Sequence, residues 1–400
     1  MDRSKFLKIW NGNRDRLLGL TALFLAVLSL GYLAYHFWRL LFDSNPVAAI
    51  DLQYRYSEVS GWFSGRPIFR EIGSAVYPPA SYAILWPLLG WLSLAGARWL
   101  WGITSVFALI GLAYLSVRES GADTFPERAL AAVIPLSLYP TGVTVGNGQV
   151  LCHFLPLLAA GLLLVKNQEA TWPRDLLGAF LVILGFVKPS VSTPFFWILL
   201  FVPGRSRPAL LVCAGYLLLS LLAVQFQESG LIELLQDWVR LAQIGVSYGT
   251  GFVIKHQGYT SVPSWLYFLG LGKWATPVSL TLWIILGYWI HRNRRADFWT
   301  LMGVSAVVAR FWTYHLRYDD LVMLLAMIAF FRIAKKRSTS GSGAFSAGIL
   351  LAATTLTLLA PGGTNFLPQP LKNIYVAIQI VVWLSGLIFL VHHARLERSD

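Results

Sequence analysis

Long apolar stretches separated by short polar segments follow one another along the whole chain. A helix needs about 20 mostly apolar residues to cross the hydrocarbon core of a bilayer, and about twelve stretches approach this length. They are residues 17–42, 78–96, 97–117, 129–145, 149–165, 176–202, 209–226, 274–290, 298–314, 318–333, 344–361 and 373–392. The pattern predicts an all-α polytopic membrane protein with about twelve transmembrane helices.

Two of these stretches depart from a simple span. Residues 129–145 are few and include Pro135 and Pro140, while the longer stretch 176–202 is interrupted by Lys188-Pro189. Proline removes a backbone donor and kinks a helix. Both stretches are therefore predicted to be broken or re-entrant elements that line protein or a water-filled cavity.

The polar break Gly146-Asn-Gly-Gln149 separates two apolar stretches. Its glycines free the backbone, and the amides of Asn147 and Gln149 offer neutral hydrogen bonds suited to sugar hydroxyls. A hairpin made of 129–145 and 149–165 would return the chain to the same side of the membrane as two full spans would. The sequence therefore leaves open the side on which these amides emerge.

The polar segment 43–77 follows the first apolar stretch and mixes charges with large aromatic residues from Asp51 to Arg70. It is too long for a simple turn and is predicted to form juxtamembrane helices that lie in the membrane interface. An acidic residue there can meet a water-soluble group on one side and a lipid headgroup on the other. The alternative is that Asp51 caps a short helix or pairs with Arg55 four residues later.

The composition and the charge distribution fit this membrane class. Hydrophobic residues make up 56% of the 400-residue chain and charged residues 13%, which is unusual for a soluble domain. The net charge of +13 is dispersed in clusters between apolar stretches, at 5–16, 205–207, 291–295, 335–337 and 395–398. The positive-inside rule explains these clusters better than nucleic-acid binding does, since no basic groove or nucleic-acid motif accompanies them.

This rule places both termini in the cytoplasm. The polar segments near 43–77, 227–265, 311–319 and 362–372 then lie on the outer face. The polar N-terminus and the apolar stretch 17–42 lack a small-residue cleavage pattern, so we expect a retained first span.

Several chemistries are not indicated by the sequence. Cys152 and Cys213 both lie in apolar runs, which does not support a disulfide or metal framework. There is no Walker loop, dinucleotide fingerprint, HExxH motif or nucleophile elbow, so nucleotide-dependent chemistry is not predicted.

The chain has one low-complexity piece, Ser338-Thr-Ser-Gly-Ser-Gly343, after the basic cluster at 335–337. It is predicted to be a flexible cytoplasmic loop. We expect it to divide a catalytic transmembrane module, residues 1–333 with the outer loop 43–77, from a pair of transmembrane helices at 334–400. No internal repeat of fixed period is visible, which weakens a transporter built from duplicated halves.

Lys188 lies far from both ends of an apolar run. A lysine at such a position costs about 2.5 to 3.5 kcal/mol on insertion scales and is usually retained for a function. It is predicted to face a polar cavity and to supply a cation for a phosphate oxygen. The alternative is that its side chain reaches the interface from a shorter helix.

The segment from Arg310 to Asp320 has the highest density of ionisable residues near a predicted membrane face. His315 could donate a hydrogen bond to a phosphate, and Arg310 or Arg317 could hold one with two parallel hydrogen bonds. The alternative is an interfacial salt-bridge network of Arg317 with Asp319 and Asp320. A further outer segment, 247–265, includes His256 and could form a lid over a cavity or a plain loop.

The order of several short motifs resembles glycosyltransferase family 87, the polyprenol-phosphate-mannose-dependent mannosyltransferases of the GT-C fold. The resemblance extends from about residue 17 to 333. Its motifs are Asp51 soon after the first span, Tyr77-Pro78-Pro79 with Pro87, Gly148-Gln149 at the start of a later helix, Lys188-Pro189, and Tyr314-His315.

This resemblance implies a donor sugar on a lipid phosphate, a GT-C fold, and an active site facing the periplasm or cell exterior. It also implies inversion at the anomeric carbon, with Asp51 at the position of the family's acidic residue in the first outer loop. His315 matches the family's late histidine, although the local sequence Tyr314-His315-Leu316-Arg317-Tyr318 departs from the family pattern. Gln53 replaces the second acid of the Asp-Xaa-Asp pair of related enzymes, so a metal is not expected. No cofactor is expected either, since the polyprenyl-phosphate sugar is a donor substrate.

The resulting hypothesis is a multi-pass cell-membrane glycosyltransferase. It would move a hexose, first of all mannose, from a polyprenyl-phosphate donor to a glycolipid or glycan acceptor. Asp51 would be the general base, and Lys188, His315 and Arg310 or Arg317 would bind the donor phosphate. The candidates for sugar or acceptor binding are Tyr54, Arg55, Tyr77, Asn147, Gln149 and His256. A transporter or flippase for a lipid-linked sugar is the alternative function, and a non-catalytic scaffold is a third.

Overall fold

The computed structural model describes residues 3–45, 47–166, 171–257, 259–336 and 341–397, and within these ranges the chain is helical without β-strands. The α-helices are α1 (Arg3–Leu41), α2 (Ile50–Phe63), α3 (Ile68–Glu71), α4 (Pro79–Leu89), α5 (Leu94–Glu119), α6 (Phe125–Ser137), α7 (Tyr139–Asn147), α8 (Leu151–Val165), α9 (Trp172–Gly185), α10 (Pro189–Ser192), α11 (Phe196–Phe201), α12 (Arg207–Val224), α13 (Leu231–Gln257), α14 (Val262–Phe268), α15 (Ala275–Arg292), α16 (Phe298–Phe311), α17 (Leu324–Lys335), α18 (Gly341–Leu359) and α19 (Gln369–Leu396). Short 3-10 segments lie at Thr193–Phe195, Gly272–Trp274, Arg317–Met323 and Pro361–Phe366. The predicted all-α class is confirmed.

Four helices, α1, α5, α12 and α19, are long and apolar enough to cross a membrane. The number rises to six if each of two bent helix pairs counts as one span, and four further apolar helices are shorter, with 10–17 residues. Each of the twelve predicted apolar stretches contains helix, as the pattern requires. The count of about twelve crossings is not confirmed.

The first bent pair is α6 and α7, whose axes differ in direction by 47°. Pro135 lies inside α6 and Pro140 lies in the first turn of α7, so the bend falls where backbone hydrogen bonds are missing. The predicted break is confirmed. The two ends of this bent pair lie far apart in the bundle. The Glu127 side chain near the start of α6 pairs with Arg14, whereas the end of α7 packs against α2.

The second bent pair, α9 with α10 and α11, changes direction by 118°. Asp175 in the first turn of α9 accepts a hydrogen bond of 2.6 Å from Arg205, which follows α11. The two arms therefore start and finish at the same end of the bundle. This stretch is a re-entrant hairpin, and Lys188 lies at its turn.

The predicted span 78–96 also fails to cross the bundle. At the start of α4, the Tyr77 ring lies 4.3 Å from the Arg55 guanidinium carbon. After its end, the Leu92 carbonyl accepts a hydrogen bond of 3.0 Å from the Tyr56 hydroxyl. Because Arg55 and Tyr56 are neighbours on α2, both ends of α4 lie at the same end of the bundle. Apolarity alone predicted a span, but the contacts of α2 decide otherwise.

One end of the bundle, called here the basic end, is joined by ion pairs between distant segments. The fully buried Glu127 carboxylate accepts hydrogen bonds from Arg14 and, at 2.8 Å to each oxygen, from Lys335. Lys336 pairs with Glu397 at 2.7 Å. These contacts hold α1, α6, α17 and α19 together at the end opposite to the start of α2, which is called here the site end.

Replacing Glu127 by glutamine is expected to lower the free energy of unfolding by about 2 kcal/mol, because Arg14 and Lys335 lose a buried counter-charge but remain partly hydrated. Thermal unfolding in one detergent measures this. The control is Glu71→Gln, which removes the exposed pair with Arg66 and should change stability by less than about 0.5 kcal/mol. Equal shifts for the two variants would contradict the assigned role of Glu127.

The two C-terminal helices pack on the preceding bundle. The Arg310 guanidinium of α16 lies 5.5 Å from the Trp383 ring of α19, and Gly386 of α19 is covered by Phe330 of α17. Within the low-complexity piece, residues 338–340 lie outside the described residues and Gly341 begins α18. The division at 333/334 stays a prediction.

Candidate functional site

Segment 43–77 contains two helices, α2 and α3, as predicted for this segment. Asp51 lies in the first turn of α2, where the helix dipole favours a negative charge. The N-cap is Ala49, with φ of 50°, so Asp51 is not the cap residue of this helix. The Gln149 side chain instead lies next to the Asp51 carboxylate and favours its ionised form.

Gly148 brings this amide to Asp51. Its φ of 70° is in the left-handed region, and a Cβ atom there would lie 2.4 Å from the Cβ of Leu52. Only glycine combines this backbone conformation with so close an approach to α2. Asn147 and Gln149 therefore emerge at the site end of the bundle, with Gln149 next to Asp51. The side of the membrane on which they emerge stays a prediction.

Gly148→Ala is expected to lower sugar transfer about 100-fold, because the added methyl group displaces the first turn of α2 and with it Asp51. Gly121→Ala is the matched control: its φ is 71°, but no atom lies within 4 Å of the added Cβ. Both variants carry backbone strain of about 1–2 kcal/mol. Initial rates and unfolding temperatures measure the difference; similar activity in both variants would show that the contact with Leu52 does not position the site.

Two side chains meet at Asp319, one from the turn of the re-entrant hairpin and one from four residues earlier in the same segment. The Lys188 ammonium donates to Asp319 Oδ1 at 2.5 Å, and His315 Nδ1 lies 3.1 Å from Asp319 Oδ2. The Lys188 Nζ also lies 4.9 Å from the centre of the Tyr318 ring. The predicted polar environment of Lys188 is thus present. Its side chain reaches an internal carboxylate and does not extend to the interface.

Burial and neighbouring charges shift the pKa values of Asp51 and His315. Burial raises the pKa of Asp51, while Arg55, Gln149 and Lys188 oppose the rise. Lys188 and His315 both bond to Asp319, and these bonds favour its ionised form. Burial lowers the pKa of His315, and Asp319 only partly offsets this. A neutral His315 next to an ionised Asp319 is the expected state at neutral pH.

A second buried pair lies one helical turn beyond Asp51. Arg55 pairs with Glu58 at 2.6 Å, and its guanidinium also lies against the Tyr77 ring. Ser74 donates to Glu58 at 3.1 Å. Burial raises the pKa of Glu58 to about 7, against the opposing effects of Arg55 and Ser74. Arg55 is thus held mainly by Glu58 and interacts with Asp51 only through its charge.

The two late arginines occupy different surroundings from Lys188. Arg310 is fully buried and pairs with Asp320. Arg317 donates to the Pro361 carbonyl at 2.8 Å and interacts with Tyr139. The close ion-pair partners of Asp319 and Asp320 are therefore Lys188 and Arg310, which differs from the network around Arg317 that the sequence offered as an alternative.

The remaining sugar or acceptor candidates are placed as follows. Tyr77 is buried against Arg55, Gln149 is buried beside Asp51, and Asn147 is half-buried at the end of α7. Tyr54 is 45% exposed on α2. The side chain of His256 lies outside the described residues.

Much of the segment 247–265 is helical and covers the site. Within α13, a Cβ atom on Gly249 would lie 2.5 Å from the Tyr314 ring, which shows how closely the helix approaches this ring. On the same helix, the Trp238 indole donates to the Val76 carbonyl at 2.9 Å. Because Val76 and Tyr314 adjoin Tyr77 and His315, α13 is a cover over the polar group. A plain loop is not observed.

Sequence reasoning assigned no positive role to Asp319 or Glu58. A signal for Asp319 was available, because an intramembrane lysine requires a counter-charge and His315 precedes Asp319 by four positions. Glu58 lies three residues after Arg55 and could have been found as its helical partner. In the described part of the chain, no group of three or more His, Cys, Asp and Glu side chains is arranged to hold a metal ion. The expectation that no metal is needed stays a prediction.

Comparison with known proteins gives one match. Residues 75–313 match the family model described as Glycosyltransferase family 87, which covers more than half of the chain. The matched range includes Tyr77, Gln149 and Lys188, whereas Asp51 precedes it and His315 follows it. No match is found among curated proteins or among solved structures.

Proposed function

Because the chain belongs to glycosyltransferase family 87, and is accordingly a glycosyltransferase, we propose that it moves a hexose from a polyprenyl-phosphate donor to a glycolipid or glycan acceptor at the site end of the bundle. Mannose is the sugar that we expect. The observation that carries the proposal is that Lys188 and His315 both contact Asp319, while the Asp51 carboxylate is near enough to interact with the charges of Lys188 and Asp319.

Direct displacement at a sugar carbon requires a base for the acceptor hydroxyl and stabilisation of the departing phosphate. Asp51 takes the proton of the hydroxyl as its oxygen forms a bond to the anomeric carbon. The bond from this carbon to the donor phosphate breaks on the opposite face, and the configuration inverts. The raised pKa of Asp51 suits this task, since a carboxylate with an ordinary pKa is a weak base at neutral pH.

Negative charge develops on the lipid phosphate as this bond breaks. Lys188, held at the turn of the re-entrant hairpin, and His315 are the ligands that we assign to this charge. Arg310 is less suited, because its guanidinium is committed to Asp320 and Trp383. Arg317 is retained as a candidate at the rim of the site, where its side chain is half-buried.

We infer the side of the membrane from the distribution of charge. Basic clusters near 5–16, 205–207 and 335–337 belong to the segments joined at the basic end. The positive-inside rule assigns this end to the cytoplasm. Asp51 and Lys188 would then work on the outer face of the cell membrane, where a lipid-phosphate sugar can supply activated substrate without a nucleotide.

The test incubates the purified protein in detergent with polyprenyl-phosphate mannose, polyprenyl-phosphate glucose or GDP-mannose, each with candidate glycolipid acceptors. Mass spectrometry should show a product one hexose heavier with the lipid donors and none with the nucleotide sugar. Transfer from GDP-mannose alone would overturn the proposal. Movement of a lipid-linked sugar across vesicles without any product would favour the transporter alternative.

A further inference from the structure

Among the residues that the structure describes, Asp319 is the one carboxylate that contacts both proposed ligands of the donor phosphate. Its two oxygens are divided between them, with Lys188 at Oδ1 and His315 at Oδ2. All three side chains are almost entirely buried, with exposed side-chain fractions of 11% for Lys188, 2% for His315 and 4% for Asp319. The geometry of both ligands therefore depends on one residue to which no role is yet assigned.

The bonds to Asp319 fix the tautomer of His315. An ionised carboxylate can only accept hydrogen bonds. The ammonium of Lys188 keeps Asp319 ionised, so the hydrogen of a neutral His315 ring must be on Nδ1. The other nitrogen, Nε2, is then a bare acceptor, and it is buried without a hydrogen-bond partner among the described residues.

A bare nitrogen cannot donate to a phosphate oxygen. His315 can become a phosphate ligand only after its ring gains a proton, which makes both nitrogens donors. We propose that Asp319 is a positioning residue that fixes the orientation and tautomer of His315, so that a donor phosphate binds together with one proton taken up by the ring. This inference rests on the proposed function.

The charges around His315 agree with this linkage. Asp319 is the acidic neighbour, while Lys188, from the turn between α9 and α10, and Arg310, from α16, are basic neighbours. Burial and the two cations keep the pKa of the His315 ring below its ordinary value, whereas Asp319 raises it. A phosphate adds negative charge, so the pKa of His315 rises on binding and a proton enters.

The test measures proton uptake by calorimetry. The probe is polyprenyl-phosphate mannose without acceptor, a phosphodiester whose own charge is constant near neutral pH. Binding heats at about pH 7 in buffers with different ionisation enthalpies should give about one proton taken up by the wild-type protein. Proton uptake should fall to near zero in Asp319→Asn. The asparagine amide can donate a hydrogen bond to Nδ1, so the hydrogen of the neutral ring is on Nε2 before the phosphate binds and no further proton is needed. Unchanged uptake in this variant would overturn the inference.

Two further variants keep the test decisive if Asp319→Asn folds poorly. His315→Gln preserves the bond between Lys188 and Asp319 and should also abolish uptake; retention of uptake would overturn the inference. Asp320→Asn, one residue away and paired with Arg310, should lose stability but keep the uptake of the wild type. Absence of any binding by the wild-type protein would overturn the proposed function itself, whereas binding with no proton uptake would overturn only the role of Asp319.

Discussion

Asp51→Asn is expected to lower sugar transfer by about 1,000-fold, because the amide cannot accept the proton of the acceptor hydroxyl, a step that typically contributes about 100- to 10,000-fold. The protein should remain folded, since asparagine has nearly the same shape as aspartate and is still polar next to Gln149. Initial rates with a lipid-phosphate donor measure the effect, and size-exclusion profiles and unfolding temperatures report on folding.

The matched control is Asp43→Asn. This carboxylate follows α1 on the same polar segment, accepts a hydrogen bond from the Asn45 backbone amide, and does not contact Gln149 or Lys188 among the described contacts. It should retain most of the activity. If Asp51→Asn and Asp43→Asn have similar rates, Asp51 is not the base, and Glu58, the carboxylate one to two turns further along α2, becomes the next candidate.

Lys188→Met is expected to lower both the stability of the protein and the rate of sugar transfer. The variant removes the cation from a buried pair and leaves Asp319 without its nearest counter-charge, which should cost about 3 kcal/mol of stability. Loss of the phosphate ligand should lower transfer by about 100- to 1,000-fold. Lys273→Met, at an exposed lysine beside α15, should change neither quantity appreciably.

A double variant separates these two effects. Lys188→Met combined with Asp319→Asn removes both charges, so most of the lost stability should return, while transfer should remain as low as in the single variant. Unfolding temperatures and rates of all three variants complete the cycle. Recovery of activity with stability would mean that Lys188 is only a structural partner of Asp319.

The sequence indicated which charged residues to consider for the candidate site, but not which residues they contact. Asp51 and Lys188 became candidates because a charge close to or inside an apolar stretch is costly and demands an explanation. The partner of Lys188 was not found, because Asp319 is 131 positions away in the chain. A hydrogen bond of this kind depends on where two distant segments finish in space, and no local pattern encodes that.

Helix breaks were also predictable, but the course of the chain after each break was not. Pro140 and Pro189 indicated bends because proline lacks the amide donor of a helix. One bend deflects a continuing path by 47°, whereas the other turns the chain back by 118°. The difference lies in the ion pair of Asp175 with Arg205, which closes the second hairpin at the basic end.

The sequence by itself determined the helical membrane class, the family, and which charged residues require a polar interior, because apolar length, proline position and residue type are local properties. Tertiary structure decided that α4 and the hairpin holding Lys188 do not cross the bundle, and that Gln149 faces Asp51. It also paired Asp319 with Lys188 and His315, whereas Arg317 bonds to the Pro361 carbonyl. These outcomes depend on packing and on charge pairing between remote segments, whose energies exist only once the helices are assembled.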